Sequence, residues 1–342
     1  MDYLALVIAF CGGAFGASIG ALAAFVFTGF AGLIGIAMAV SGVGFDFLGN
    51  VAFGPYFGPH IAFAGGVAAA AFARKMGYME SGKDILKGLT GLKKPEVLIV
   101  GGIFGMMGYA INVGLASQSA IKLDTVALTV FILAIIAKIA FGNTGLGEIF
   151  GSVPEDIKRI GGRYCLRCSN VWLPYATLPC DKTIIGISAG GVSVYLTYLM
   201  LQNPETAPVA AFVGFCISAI TLIWLYLGQD IPVTHHITIC ASYAVVASGG
   251  SVWWGFAAAV AASFAGDFFA RTFYCYGDTH VDPPATAIAS ISFVLMTLIP
   301  KGVYEMEYIA AAIVALAVIY SAVRYAQGDK CRIDVSAVEE TA

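Results

Sequence analysis

Long apolar stretches separated by short polar joins run along nearly the whole chain. Eleven can be marked, at about 3–28, 30–48, 59–73, 96–117, 123–141, 184–202, 208–228, 234–250, 252–273, 284–299 and 305–323. A helix needs ~20 apolar residues to cross ~30 Å of hydrocarbon, and most of these stretches come near that length. The third and eighth are shorter and are set off by Gly58-Pro59 and by Pro232, so they can be tilted crossings, broken helices or re-entrant hairpins. No stretch alternates apolar and polar residues in the manner of a membrane β-strand. The pattern predicts an all-α polytopic membrane protein of about 10–11 transmembrane helices.

Composition agrees. Of 342 residues, 59% are hydrophobic and 11% charged, against roughly 25% charged in a soluble domain. So few charges leave a soluble surface of this size uncovered, whereas lipid requires an apolar one. The 41 glycines suit closely packed membrane helices. A net charge of −3 implies no nucleic-acid partner. The run from Tyr3 to Phe27 is long enough to span and lacks a basic leader, so it is expected to be a retained helix.

Basic residues predict the orientation. Arg74, Lys75, Lys83, Lys87, Lys93 and Lys94 fall in one loop, and Lys158, Arg159, Arg163, Arg167 and Lys182 in another. Arg324, Lys330 and Arg332 fall in the C-terminal tail. Positive residues are retained on the cytoplasmic side, so the 74–95 and 155–182 loops and the C-terminus are expected inside a plasma membrane. Eleven crossings then put the N-terminus outside. Making segments three and eight re-entrant would put the tail on the wrong side.

The two halves resemble each other. Lys122-Leu123-Asp124-Thr125-Val126-Ala127 lines up with His280-Val281-Asp282-Pro283-Pro284-Ala285 at an offset of 158, which also pairs Gly108 with Gly266. Pro59-His60-Ile61-Ala62 resembles His235-His236-Ile237-Thr238, and segments one and six both carry glycines at small-xxx-small spacing. Five crossings per half would invert the second half relative to the first, a common build for transporters, with the solute path between the halves. The expected division is a first five-helix repeat at 1–142, a cytoplasmic Cys-containing linker at 143–183, a second repeat at 184–300, and an extra helix and tail at 301–342. The alternative is chance similarity among Gly/Ala/Val-rich helices.

Polar residues within the spans are the candidate pathway. A charge at mid-membrane costs about 2.5–3.5 kcal/mol even on lenient scales, so it usually faces a partner or a cavity. His60 and His236 take matching places behind breaks in the two short segments. An imidazole beside a helix N-terminus there could bind an anion or relay a proton, and would titrate in the physiological range. His235 would point elsewhere on its helix. Asp267 is either a pathway residue or the partner of Arg271 one turn on. Asp124 and Asp282 are pathway candidates or ordinary N-caps, Pro283 suiting a first turn. Asp46 and Asp230 are expected to face water.

The stretch Asp278-Thr279-His280-Val281-Asp282-Pro283-Pro284-Ala285-Thr286-Ala287, opening a membrane helix, resembles the His-Pro-Pro signature of the HPP family of integral membrane proteins. That resemblance implies a small-anion pathway, since members have been associated with nitrite transport. Asp282 stands where that family has its histidine, and Thr125-Val126 replaces both prolines in the first half. Two inverted five-helix halves are also similar to the architecture of urea transporters, though their Leu-Pro signature is missing.

Three of the eight cysteines, Cys11, Cys216 and Cys240, lie in apolar spans. Cys165 and Cys168 form a Cys-x-x-Cys, and Cys180 follows. With Cys275, His280 or Cys331 as a fourth ligand, this set could hold zinc. A disulfide and unpaired thiols are the alternatives. No Walker A or His-Glu-x-x-His sequence occurs. The expected function is a transporter or channel for a small polar solute or anion, partnered by the lipid bilayer and by further copies of itself. The alternatives are a membrane-embedded enzyme or redox subunit using the Cys loop, and a non-transporting structural subunit of a complex.

Overall fold

The structure is a computed structural model and describes residues 2–165 and 170–328. Each of the eleven apolar stretches carries a helix. The order is α1 Tyr3–Ile19, α2 Ala21–Val40, α3 Ala62–Lys75, α4 Pro95–Ala116, α5 Thr125–Phe141 and the short α6 Glu155–Arg159. The second set is α7 Pro179–Leu201, α8 Val213–Thr221, α9 His235–Ala247, α10 Val252–Phe269 and α11 Pro283–Phe293. The short α12 Lys301–Tyr304 and the long α13 Glu307–Ala326 close the chain. Among the described residues there is no strand, only an isolated bridge between Gly82 and Thr279.

Among the described residues, five helices are long and apolar enough to cross a membrane: Ala21–Val40, Pro95–Ala116, Pro179–Leu201, Val252–Tyr274 (α10 with its following π turn) and Glu307–Ala326. The others are shorter, with α3 of 14 residues and α9 of 13 well below the length of a full crossing. Their outward faces carry large apolar side chains, among them Leu4, Ile34, Ile184, Leu227 and Leu316, as lipid contact requires and water does not favour.

Helix starts follow from local chemistry. Asp2, Asp124, Ser251 and Asp282 each cap the helix that follows by accepting a backbone N–H, which satisfies one of the donors a helix start leaves free. Pro283 occupies the first helical position of α11, where its missing N–H costs nothing. The first break falls at Gly20, not near residue 29. Gly20 has φ of 100°, and a Cβ there would lie 2.7 Å from the Leu86 carbonyl oxygen. Only glycine allows both that turn and that approach. α7 likewise begins earlier than expected, at Pro179, so Lys182 sits in its first turn.

Two trios of helices form the body. α1, α3 and α4 pack on one another, and so do α7, α9 and α10. α2 packs on α8, and α5 on α11, joining the halves. The Asp124 N–H donates to Ser292 Oγ at 2.9 Å near the end of α11, while Lys138 near the end of α5 donates to the Phe273 carbonyl ahead of α11. α5 and α11 therefore run antiparallel.

Basic residues collect at one end. Arg74 pairs with Asp278 at 2.6 Å, Lys83 donates to the Cys275 carbonyl at 3.2 Å, and Arg163 donates to the Phe150, Gly151, Arg271 and Thr272 carbonyls. Near the C-terminal end of α13, Ser321 bonds Thr183 Oγ1 at 2.8 Å and the Pro179 carbonyl at 3.0 Å, so the chain leaves α13 at this same end.

Candidate functional site

A cavity of about 690 Å³ lies between the two sets of helices. Its wall draws on corresponding positions. From α5 and its cap come Asp124, Ala127 and Val130; from α11 and its cap come Asp282, Ala285 and Ile288. Residues three apart share a helix face, and each pair is separated by 158 positions. Pro59 and Phe63 at the start of α3 match His235 and Ile239 of α9, 176 positions on. Leu22 and Phe25 of α2 also line it, as do Phe215 of α8 and Phe212 just before that helix, with the Phe25 and Phe215 rings 5.7 Å apart. Lys83, Trp172 and Tyr274 bound one end, and Asp46 and Leu48 the other.

The two cap aspartates are built alike. Asp124 accepts from the Ala127 N–H at 2.8 Å with one oxygen and from the Tyr243 hydroxyl at 2.7 Å with the other. Asp282 accepts from the Ala285 N–H at 2.8 Å, and its second oxygen lies 3.2 Å from His280 Nε2. Both are N-caps and both line the cavity, so the capping role does not take either carboxylate out of the cavity wall. Lys83 is the basic lysine on the wall. Its ammonium is turned to the Cys275 carbonyl and lies 4.7 Å from the centre of the Tyr274 ring. Burial lowers its pKa from the ordinary lysine value, against the opposing pull of Cys275, Asp278 and Glu148.

The histidines are arranged differently from the expected pair. His60 is 2% exposed and lies off the cavity wall, its carbonyl pressed against Gly108 of α4. His236 borders a separate void of about 20 Å³ with Trp172, Ser263 and Asp267, enough for about one water. Gly266 admits this ring, since a Cβ there would sit 2.6 Å from His236 Nε2. His235 lies on the large cavity instead, with its ring 4.6 Å from that of Phe25. Nδ1 of His60, His235, His236 and His280 finds no hydrogen-bond partner among the described residues.

Asp267 sits in an ion-pair triad away from the large cavity. Lys182 Nζ is 2.8 Å from one of its oxygens and Arg271 Nε 3.0 Å from the other. Arg271 also donates to the Cys165 carbonyl. Both cations are almost fully buried.

Of the cysteine set, Cys168 and Cys331 lie outside the described residues. Cys165 packs in a buried cluster with Cys275, Ile157 and Tyr276, and its thiol donates to the Ile160 carbonyl at 3.2 Å. Cys180 lies in the first turn of α7. Among the described residues, no three His, Cys, Asp or Glu side chains are grouped to hold a metal.

Tyr243, Lys182 and Trp172 escaped the sequence reading. Tyr243 is one of many aromatics in apolar spans, and nothing local marks it. Lys182 follows Pro179, a helix-start signal that would have placed it inside α7.

Helices, cavity and apolar exterior together define an all-helical protein of membrane-compatible build. The profile of a family of unknown function (DUF7973) matches residues 1–158 and, a second time, residues 154–313. The chain belongs to that family. No curated protein and no solved structure matches it.

Proposed function

We propose that the chain is an integral plasma-membrane transporter or channel for a small organic solute, built as two five-helix halves of opposite orientation. The observation that carries this reading is the cavity. Its volume of about 690 Å³ falls within the ~300–1,000 Å³ of small-molecule sites, and paired positions of both halves supply its wall. The double match to one family profile and the antiparallel course of α5 and α11 support the inversion. A solute path at the interface of inverted halves is the usual arrangement in such transporters. The two short helices α3 and α9 fit it too, because non-helical backbone at membrane depth is tolerated where it is buried in protein or lines a cavity.

The basic end faces the cytoplasm in this proposal, following the positive-inside bias. A cysteine introduced as Gln327→Cys should then resist an impermeant thiol reagent applied to intact cells. Labelling there would reverse the orientation.

The functional experiment is uptake into proteoliposomes, with a panel of small amines, alcohols, carboxylates, urea, formate and nitrite. At least one should show saturable uptake, slowed several-fold by Ile239→Trp, which fills the cavity. His60→Ala and His236→Ala, off the wall, should leave its KM and pH profile unchanged. Absence of saturable uptake across the panel would remove the transport reading.

A further inference from the structure

Resting on that reading, we infer that the cavity takes an apolar solute bearing a protonated amine, which the carboxylates of Asp124 and Asp282 hold in turn. The polar groups of the wall favour a cation. An ionised carboxylate offers about four acceptor sites, and each aspartate uses one oxygen for its helix cap and the other for a single side-chain donor. Each therefore keeps acceptor capacity for a further N–H. Asp46 adds a third carboxylate, while Lys83 is directed to a backbone carbonyl.

An anionic solute would meet three carboxylates on the wall against one lysine among the described residues, Lys83, whose ammonium is already turned to the Cys275 carbonyl and the Tyr274 ring. The starts of α5 and α11, which could otherwise attract an anion, already hold the two aspartates as resident anions. His235 and His280 strengthen the case for a polar ligand. Both line the cavity, both are more than nine-tenths buried, and the Nδ1 of each lacks a partner among the described residues. Buried polar atoms normally find one.

The rest of the wall sets the body of the solute. Ile239, Leu222 and Val130 make it apolar, and Phe25, Phe63 and Phe215 set aromatic faces among the aliphatic ones. Aromatic faces also attract ammonium ions. A volume near 690 Å³ is far larger than nitrite or formate needs. The aspartates lie toward opposite ends of the cavity, because Asp124 sits beside Tyr243 and Ser292, at the far end of α11, while Asp282 caps the start of α11 beside His280. Hence a solute moving from one half to the other exchanges one carboxylate for its counterpart.

The experiment compares phenethylamine, 2-phenylethanol and phenylacetate on the full-length protein in nanodiscs, by equilibrium binding, with uptake measured in parallel in proteoliposomes. Phenethylamine should bind at least ten-fold more tightly than the alcohol, and phenylacetate most weakly. Asp124→Asn and Asp282→Asn should each reduce that preference, and the double variant should abolish it. Asparagine caps a helix about as well as aspartate, so the fold should persist. Ile239→Trp, which leaves both carboxylates in place, should weaken amine and alcohol alike. Equal binding of amine and alcohol, no binding of either, or a preference untouched in the double variant overturns the amine assignment. Amine binding without saturable uptake of any solute leaves that assignment standing and removes the transport reading instead.

Discussion

Two sets of buried carboxylates behave in opposite ways in this molecule. Asp267 is held between two cations, Lys182 at 2.8 Å and Arg271 at 3.0 Å, at the basic end of α10. Asp124 has only neutral donors around it, a backbone N–H and the Tyr243 hydroxyl. Asp282 has the same geometry, a backbone N–H on one oxygen and His280 beside the other, with neither a lysine nor an arginine bonded to it among the described residues. The first arrangement spends the charge on structure and leaves nothing for a ligand. The second keeps charge beside an open volume, and such charges in membrane proteins commonly mark a pathway.

Replacing the same residue type in both settings separates them. Asp267→Asn removes the counter-charge from two buried cations at once. Taking one partner from a buried pair costs about 3–5 kcal/mol, because the remaining charge is left uncompensated. Arg271, 1% exposed, cannot reach water without disturbing α10 and the Cys165 carbonyl it binds. The expected result is the largest loss of thermal stability in detergent of any variant considered. A melting midpoint close to wild type would show that the triad is hydrated, and the contrast with Asp124 and Asp282 would collapse.

The same contrast shows what the sequence could and could not reveal. The apolar segments carried the helix order, because length and hydrophobicity are local properties that a lipid solvent reads directly. Asp124 and Asp282 were legible as a pair because their flanking residues align at a fixed offset. Gly20 was hidden: its turn depends on the Leu86 carbonyl, far away in sequence. The histidine pair was also misleading in isolation. His60 and His236 do match in register, but that register faces both away from the large cavity and puts Pro59 and His235 on its wall. Which face of a short helix lines a cavity is decided by the partners packed against it, and α9 meets α7, α8, α10 and α11. Lys182 and Asp267 are 85 residues apart, so no local pattern could join them.

Asp124→Asn should have the smallest effect on stability, and for identifiable reasons. The cap survives, because the asparagine carbonyl oxygen can still accept the Ala127 N–H, and asparagine ranks with aspartate at this position. The Tyr243 hydroxyl donates to the second carboxylate oxygen at 2.7 Å. In the variant an amide NH₂ stands there, and the hydroxyl can rotate to accept from it instead, since a tyrosine O–H both donates and accepts. What is lost is a charge-assisted hydrogen bond, which is stronger than its neutral counterpart. What is gained is relief from holding a charge in a largely apolar surround. These two changes oppose each other, so the melting midpoint should correspond to a stability within about 0.5–1 kcal/mol of wild type. Thermal unfolding of Asp124→Asn beside Asp267→Asn in the same detergent checks this. A loss at Asp124 as large as that at Asp267 would mean that its charge, too, is spent on holding the fold, and the cavity would then have no carboxylate to offer at that end.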